Sequence, residues 1–177
     1  SALARGGCLM RLKDKVAIVM GAGSVGPGWG NGKATAFRFA EEGAIVIAAD
    51  FNLTAARETA ALITDAGGRA EAHACDVTQS DQIAALVAKV MAAHGRIDVL
   101  DNNVGIAETG GVVELPEADW DRVFAVNVKS AFLAMKHVIP IMEGQFEQSG
   151  QGGSIINISS IASIRHTGVP YASYYAS

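Results

Sequence analysis

A glycine-rich segment near the start of the chain is the first feature that could do chemistry. It reads GAGSVGPGWGNGKATA from Gly21 to Ala36, and it follows an apolar run that begins at Val16. Glycines between a strand and a helix permit tight turns, and they let backbone N–H groups at the positive end of the helix approach a phosphate. The segment therefore predicts a diphosphate site, although a glycine-rich surface loop without a ligand would have the same composition.

Two registers of the glycine motif compete. A literal G-x-G-x-x-G falls on Gly21, Gly23 and Gly26, but Pro-Gly-Trp-Gly follows and cannot easily continue as a helix. A helical pattern begins only after Gly30 and Gly32, so we expect these two glycines to pack the helix closely against the strand. The residues predicted to bind the cofactor at this turn are Gly21, Gly23, Ser24, Gly30, Asn31 and Gly32.

An acidic residue, Asp50, closes the second apolar run and lies 29 residues past Gly21. In dinucleotide-binding folds an acidic residue about 20 positions after the glycines accepts hydrogen bonds from the ribose and disfavours a 2′-phosphate. An apparent insertion of five residues, 25–29, accounts for much of the longer spacing. Asp50 therefore favours NAD(H) over NADP(H). The alternative is that it only caps the next helix, which Asn52 could do equally well.

These residues require a scaffold in which strands and helices alternate. The predicted strands are 16–21, 44–49, 69–75, 97–100 and 154–158. The predicted helices are 33–43, 53–65, one between a capping box at 78–81 and His94, and 117–142 with a break near Pro140. Residues 145–153 are expected to form a polar loop, and Trp120 is expected in the core. Short apolar strands alternating with helices predict an α/β fold, a Rossmann-like doubly wound parallel sheet with helices on both faces.

Composition excludes several classes of protein. The chain has 177 residues, 50% of them hydrophobic, and a net charge of −4, which suits one domain. Without a basic cluster we expect no nucleic-acid partner, and without an apolar run of 18 residues we expect no membrane span. Two distant cysteines and four scattered histidines predict neither disulfides nor a metal site. A reducing cytoplasm is the simplest location.

Further motifs follow in a fixed order along the chain. They are Asp76-Val77, Asn102-Asn103-Val104-Gly105, Val126-Asn127-Val128 and the segment GSIINISS from Gly153 to Ser160. With the glycine turn, they resemble the short-chain dehydrogenase/reductase family, of the 3-oxoacyl-thioester reductase type, over residues 12–177. Three positions depart from that pattern: Met20 replaces a Thr, Val104 replaces an Ala, and Asp101 replaces an apolar residue and is expected to lower the stability of its strand.

The resemblance implies an NAD(H)-dependent oxidoreductase that interconverts an alcohol and its carbonyl compound by hydride transfer, as either a 3-oxoacyl-thioester reductase or a small-alcohol dehydrogenase. Ser160 would donate a hydrogen bond to the carbonyl oxygen, where negative charge develops. Tyr174 would be the acid, because Tyr174 to Ser177 fits the first four positions of the pattern Y-x-A-S-K; Tyr175 is the less favoured choice. Asn127 would hold a water that links the lysine of that pattern to solvent.

The same resemblance supplies the remaining cofactor contacts. Asp76 and Val77 would flank the adenine, Asn103 would lie beside a ribose, and Gly105 would let the backbone pass close to the dinucleotide. The family also pairs its long apolar helix with a second copy, so a homo-oligomer, either a dimer or a tetramer, is expected.

Residues 1–9 are interpreted as a leader or ragged extension, with Met10 as the expected native start. The chain stops one residue before the lysine of that pattern. We therefore interpret residues 10–177 as an incomplete NAD-binding domain and expect little turnover from the 177-residue polypeptide. A non-catalytic dinucleotide-binding or scaffold protein is the alternative. A flavodoxin-like regulator conflicts with the glycine turn.

Overall fold

The structure, a computed structural model, describes residues 10–26 and 28–177. The strands are β1 (Val16–Met20), β2 (Ile45–Asp50), β3 (Arg69–Ala74), β4 (Val99–Asn102) and β5 (Ser154–Asn157). The helices are α1 (Asn31–Glu41), α2 (Leu53–Asp65), α3 (Ser80–His94), α4 (Glu117–Phe124), α5 (Ser130–Ser149) and α6 (Ala172–Ala176). A π-helical turn (Ala125–Lys129) joins α4 to α5, and a 3-10 turn covers Ile161–Ser163.

All five strands are parallel, in the order β3-β2-β1-β4-β5. The predicted doubly wound sheet is confirmed. The chain leaves β1 in one direction toward β2 and returns to β4 on the other side, so the strand order reverses between β1 and β4. Ligands of open α/β sheets bind at such a switch point, beyond the carboxyl ends of the strands.

The sheet is buried because apolar residues line both of its faces. One core cluster joins Ile18, Ile47 and Leu100 to helices α3 and α5. The other lies on the α1 side, where Val19 and Val99 meet Ala36 among other small residues. Alanines on α1 let the helix approach the sheet closely, and that proximity places its first turn beside the end of β1.

The predicted capping box before α3 is wrong. Gln79 is the N-cap residue and its side chain makes no capping hydrogen bond. The Thr78 hydroxyl instead donates to Asp76 Oδ1 at 2.7 Å, and the Thr78 backbone N–H donates to the same oxygen at 2.9 Å. Asp76 therefore takes the hydroxyl that the capping box needed, in a local turn that competes with it.

The long helix differs from the prediction in both its break and its end. It continues through Pro140 and includes 145–149, which were predicted to be loop. Gln145 holds this end in place, because its side-chain amide accepts from Ile97 N at 2.8 Å and donates to Ile97 O at 2.9 Å. Gly150, with φ +70°, ends the helix in the left-handed region. The departure from regular α-helical geometry lies before α5, in the π-helical turn Ala125–Lys129.

Two smaller predictions also fail. Trp120 is 39% exposed and stacks on Phe124 with ring centroids 4.8 Å apart, while Val123 is the residue of α4 that enters the core. Strand β4 begins two residues later than predicted, because Asp98 accepts from Val16 N at 2.9 Å and from the Arg96 side chain, which fixes the segment before the strand. Within the residues that the structure describes, none of the helices has the length and apolarity to cross a bilayer.

Candidate functional site

The glycine turn wraps the end of β1. Gly21 has φ +78°, a conformation that only glycine adopts without strain. Its N–H and that of Ala22 both donate to Ala49 O, at 2.8 and 3.0 Å, which ties the turn to β2. On the other side a Cβ at Gly21 would lie 2.9 Å from Val104 Cγ2. The turn is therefore in close contact with the ends of both β2 and β4, at the switch point.

Helix α1 presents an open N-terminus to this turn. Gly30 is the N-cap residue and offers no side chain to the first turn, so the backbone N–H groups of residues 31–33 point out of the helix without an intrahelical acceptor. Helix α2 differs, because the Asn52 side chain caps it by accepting from Thr54 N and Ala55 N. An uncapped helix N-terminus beside a glycine turn is suited to a diphosphate.

Gly32 allows this arrangement. A Cβ at Gly32 would overlap the carbonyl oxygen of Gly21 and lie 2.6 Å from Asn103 Nδ2. Because α1 starts at Asn31, the helix begins in the second of the two registers inferred from the sequence. Gly26 lies before the helix in open space, with no atom within 4 Å of an added Cβ.

Asp50 faces the glycine turn from the end of β2. Its Oδ2 accepts from Gly23 N at 2.9 Å and its Oδ1 accepts from Asn52 N at 2.9 Å. Asn52, and not Asp50, caps α2. A carboxylate oxygen can accept two hydrogen bonds, so each oxygen retains capacity for a ribose hydroxyl. A Cβ at Gly23 would lie 2.8 Å from Asp50 Oδ2, so a larger residue would separate the turn from the carboxylate.

The inserted residues between the turn and α1 are anchored by Ser24. Its hydroxyl accepts from Gly30 N at 2.8 Å and donates to Gly28 O at 3.2 Å. Trp29 is largely exposed and sets its ring edge-on to Phe37 of α1, with centroids 5.3 Å apart. Ser24 therefore shapes the loop through its side chain, and Pro27 lies outside the described residues.

The ends of β3 and β4 complete the rim of the crevice. Val77 is buried in the core, and Asp76 Oδ1 accepts a hydrogen bond from the backbone N–H of Thr78. Asn103 donates through Nδ2 to Gly21 O at 3.3 Å, which joins β4 to the glycine turn. Gly105 is exposed, and a Cβ there would have only Asn127 Oδ1 nearby, at 3.9 Å.

Asn127 lies in the π-helical turn. Its Oδ1 accepts from Ile106 N at 2.9 Å, and its Nδ2 donates to Ile106 O at 3.0 Å and to Ser177 Oγ at 2.9 Å. The side chain thus fastens the segment after β4 to the long helix and to the end of α6. Both N–H donors are used, which leaves one acceptor position on Oδ1 for a further partner. Nothing in the sequence predicted the extra backbone residue that turns Asn127 toward Ile106.

The hydroxyl-bearing candidates lie after β5. Ser160 Oγ accepts from Ala162 N at 3.2 Å and caps the 3-10 turn. The Tyr175 hydroxyl donates to Val169 O at 2.7 Å and bonds the backbone N–H and hydroxyl of Thr167. The Tyr174 hydroxyl makes no hydrogen bond to another described residue. Of these two tyrosines, Tyr174 is therefore the one with its hydroxyl available.

A paired backbone segment holds α6 in place. Gly110, after β4, forms a parallel bridge with Tyr171: its N–H donates to Pro170 O at 2.6 Å, and Ala172 N donates to Gly110 O at 3.0 Å. The two loops that follow β4 and β5 are joined here, and α6 starts at the junction. This pairing fixes where Tyr174 stands relative to the sheet edge.

A small cleft opens between the ends of β1, β4 and β5 and helix α5. Its polar lining includes Asn102, Asn127, Ser130 and Asn157. Asn102 Nδ2 donates to Asn157 Oδ1 at 2.8 Å, so two neighbouring strands end in a paired set of amides. No role was predicted for Asn157 from the sequence, because its position level with Asn102 is set by the pairing of β4 with β5.

Two titratable groups close to the crevice have shifted pKa values. Burial, with a smaller contribution from Asp76, raises the pKa of the Cys75 thiol to about 11, so this cysteine is protonated near neutrality and is a poor nucleophile. Burial alone raises the pKa of Asp101 to about 6. Across the described part of the chain, no group of three or more His, Cys, Asp or Glu side chains is placed to hold a metal ion.

Comparison with known proteins agrees with this geometry. Residues 15–177 match the family described as short chain dehydrogenase. The 3-oxoacyl-[acyl-carrier-protein] reductase of Thermotoga maritima is 40% identical over 155 residues, which are 88% of this chain and 59% of that protein. The chain thus spans about three fifths of the length of this curated relative.

Solved structures give the same result. A protein described as a short-chain dehydrogenase/reductase from Burkholderia xenovorans superposes with a TM-score of 0.89 at 49% identity, covering 94% of this chain and 61% of that one. A metagenomic short-chain oxidoreductase, solved in complex with NADP, superposes with a TM-score of 0.82 at 38% identity, covering 93% and 70%. The glycine turn, the reversal of strand order and the matched sequence together show that this chain belongs to the short-chain dehydrogenase family.

Proposed function

We propose that this chain binds a nicotinamide dinucleotide, NAD(H) in preference to NADP(H), at the carboxyl ends of β1, β2 and β4. The observation that carries the proposal is the pairing of an uncapped α1 N-terminus with the Asp50 carboxylate, which is fixed to the glycine turn through Gly23 N at 2.9 Å. The residues proposed to form the binding crevice are Gly21, Gly23, Ser24, Gly30, Asn31, Gly32, Asp50, Asp76, Val77, Asn103 and Gly105.

The preference for NAD(H) rests on Asp50. Its two backbone hydrogen bonds hold the carboxylate in one orientation, with acceptor capacity left for ribose hydroxyls. A 2′-phosphate placed there would meet a negative charge held at short range, which is unfavourable. The NADP found in the metagenomic relative is a property of that protein, and the residue at the end of β2 is the feature that would separate the two specificities.

The activity proposed is the interconversion of an alcohol and a carbonyl compound. The bound dinucleotide would supply or accept the hydride. Ser160 would donate a hydrogen bond to the carbonyl oxygen, and Tyr174, whose hydroxyl bonds no other described residue, would exchange the proton with that oxygen. Asn127 would position both the segment after β4 and the end of α6, through its bonds to Ile106 and Ser177.

A homo-oligomer built on the long helix is part of the proposal. Large apolar side chains lie exposed at Val128, Phe132, Ile139 and Phe146, at intervals of about one or two helical turns. Exposed apolar surface of this kind is typical of an interface. A second copy of the chain would cover it, as the dimer or tetramer expected from the sequence requires.

Titration of NADH by fluorescence tests the cofactor proposal. We expect saturable binding to the wild-type chain. The Asp50→Asn variant should bind NADH about tenfold more weakly, the loss typical of hydrogen bonds to a charged group, and should discriminate less against NADPH. Asp65→Asn, an exposed aspartate at the end of α2, is the matched control and should bind like the wild type. Absence of saturable binding, or equal affinities for all three proteins, would overturn the proposal.

A further inference from the structure

Asp101 is a carboxyl group buried in the interior of the protein. It lies in β4, level with Val19 of β1 and Ile156 of β5. Its exposed fraction is 0%, and within the described residues neither of its carboxyl oxygens has a hydrogen-bond partner. Burying an ionised carboxylate without a partner is strongly unfavourable, so this environment favours the neutral acid.

The position of Asp101 connects it to the glycine turn. Alternate residues of a strand face the same side of the sheet, so Asp101 shares the α1 face with Asn103, about 7 Å further along. Asn103 in turn donates through Nδ2 to Gly21 O at 3.3 Å. The carboxyl therefore lies two residues along the chain before Asn103, which contacts the turn proposed to hold the diphosphate. In this buried region charges act on each other with little screening.

Among the described residues, the elements around Asp101 offer no cation to neutralise it. Strands β1 and β5 contain no charged residue. On α1, Lys33 lies 4.0 Å from Glu58 of α2, and Arg38 pairs with Glu41 and Glu42 at the far end of the helix. Of the two other acids proposed to line the crevice, Asp50 is held by backbone N–H groups on the other side of β1, and Asp76 accepts from the backbone N–H and the hydroxyl of Thr78. Burial is accordingly the cause of the raised pKa of Asp101.

We propose that Asp101 couples dinucleotide binding to its own protonation, so that the neutral carboxyl permits tight binding and the ionised carboxylate weakens it. The inference rests on the proposed function. A negative charge below the glycine turn opposes the negatively charged diphosphate directly above it. By linkage, the bound diphosphate must in turn favour the protonated carboxyl, so binding takes up protons at a pH where the free protein has begun to lose them.

The test is the pH dependence of NADH affinity, measured from about pH 5 to about pH 8 for the wild type, Asp101→Asn and the control Asp65→Asn. We expect the affinity of the wild type and of the control to fall about tenfold as the pH rises through the titration of Asp101, the order expected for nearby charges in a protein interior. The affinity of Asp101→Asn should stay nearly constant over the same range. Calorimetry in two buffers of different ionisation enthalpy should show proton uptake on binding in the wild type and none in Asp101→Asn.

The outcomes separate this inference from the proposed function. Saturable binding with the same pH profile in the wild type and in Asp101→Asn would overturn the coupling and leave the proposed function intact. Failure of every protein to bind NADH at any pH would overturn both. If Asp101→Asn does not fold, as judged by circular dichroism, Asp101→Val replaces it, because a valine restores an apolar strand interior and equally removes the titrating group.

Discussion

Two aspartates near the crevice behave differently because of what their oxygens contact. Asp50 accepts a backbone N–H at each carboxylate oxygen, so its charge is stabilised where the proposed ribose would lie. Asp101 lies among apolar side chains and has no partner among the described residues. At the scale of single residues, the first is suited to ligand recognition, while the second costs stability whenever it is ionised.

Removal of the Asp101 carboxyl should stabilise the fold at neutral pH. Its pKa in the folded chain, about 6, lies above the ordinary value of 3.8, so the folded state binds more protons between these values and stability falls as the pH rises through them. At about 1.4 kcal/mol per pKa unit, the cost above pH 6 is about 3 kcal/mol. The Asp101→Val variant should therefore gain about that much at pH 7.

Denaturant unfolding at several pH values checks this prediction. The gain of Asp101→Val over the wild type should shrink as the pH falls from about 6 to about 4, because the carboxyl in the folded wild type is then neutral and no buried charge remains to be removed. Asp65→Asn, on an exposed aspartate, should show no such change. A stability difference that is the same at pH 4 and pH 7 would contradict the account of Asp101.

At the scale of elements, α1 and α2 start in opposite ways. The first turn of α2 is capped by Asn52, whereas the first turn of α1 has only glycine before it. The sequence contains both facts, because Asn at an N-cap and glycines after a strand are recognisable patterns. The sequence left open whether Asp50 or Asn52 was the N-cap residue of α2, because both lie within three residues of the start of that helix. Only the path of the backbone decides between them.

Replacing Gly32 with alanine should disrupt the crevice. The added Cβ would overlap Gly21 O and crowd Asn103 Nδ2, so α1 must move away from β1. We expect a loss of stability of about 2 kcal/mol or more, together with loss of NADH binding. Gly144→Ala is the matched control: apart from its chain neighbours and the surrounding backbone of its own helix, no described atom lies within 4 Å of a Cβ there, and the change in mid-helix should stabilise the protein by up to about 1 kcal/mol.

Thermal unfolding and NADH titration of the two alanine variants give the comparison. We expect Gly32→Ala to lower the stability and Gly144→Ala to raise it. If Gly32→Ala keeps both wild-type stability and wild-type affinity, the close approach of α1 to the glycine turn is not what forms the site.

The long helix shows why part of the structure could not be predicted from the sequence. Pro140 indicated a break, since proline removes a backbone donor, but the helix tolerates it and Gln145 anchors the segment beyond it to Ile97. The π-helical turn at Asn127 depends on bonds to Ile106, which is distant in sequence. Such tertiary contacts override local patterns, whereas the alternation of apolar strands and helices was sufficient to predict the sheet.

At the scale of the whole molecule, the order of the strands brings the site together. Asp50, the glycine turn and Asn103 come from three separate strand ends, and only the order β2-β1-β4 makes them neighbours. These three features were recognisable in the sequence because each falls at the carboxyl end of a strand. The pairing of Asn102 with Asn157 and the burial of Asp101 depend on the three-dimensional register and were not predicted.

The proposed oligomer should depend on the exposed face of α5. Phe132 is 57% exposed in the described chain, and a charge placed there would lie within the proposed interface, where it would have no partner. The Phe132→Asp variant should therefore sediment as a smaller species than the wild type. Leu62→Asp, on the exposed side of α2, should sediment as the wild type does. A monomeric wild type, or an oligomer unaffected by Phe132→Asp, would exclude this interface.

The position of the dinucleotide in a crystal structure of the chain with bound NAD is the decisive measurement. We expect the diphosphate to contact the backbone N–H groups of residues 31–33 and the adenosine ribose hydroxyls to donate to the Asp50 carboxylate. A dinucleotide bound elsewhere, or a crevice filled by the protein's own side chains with Asp50 turned away, would contradict it.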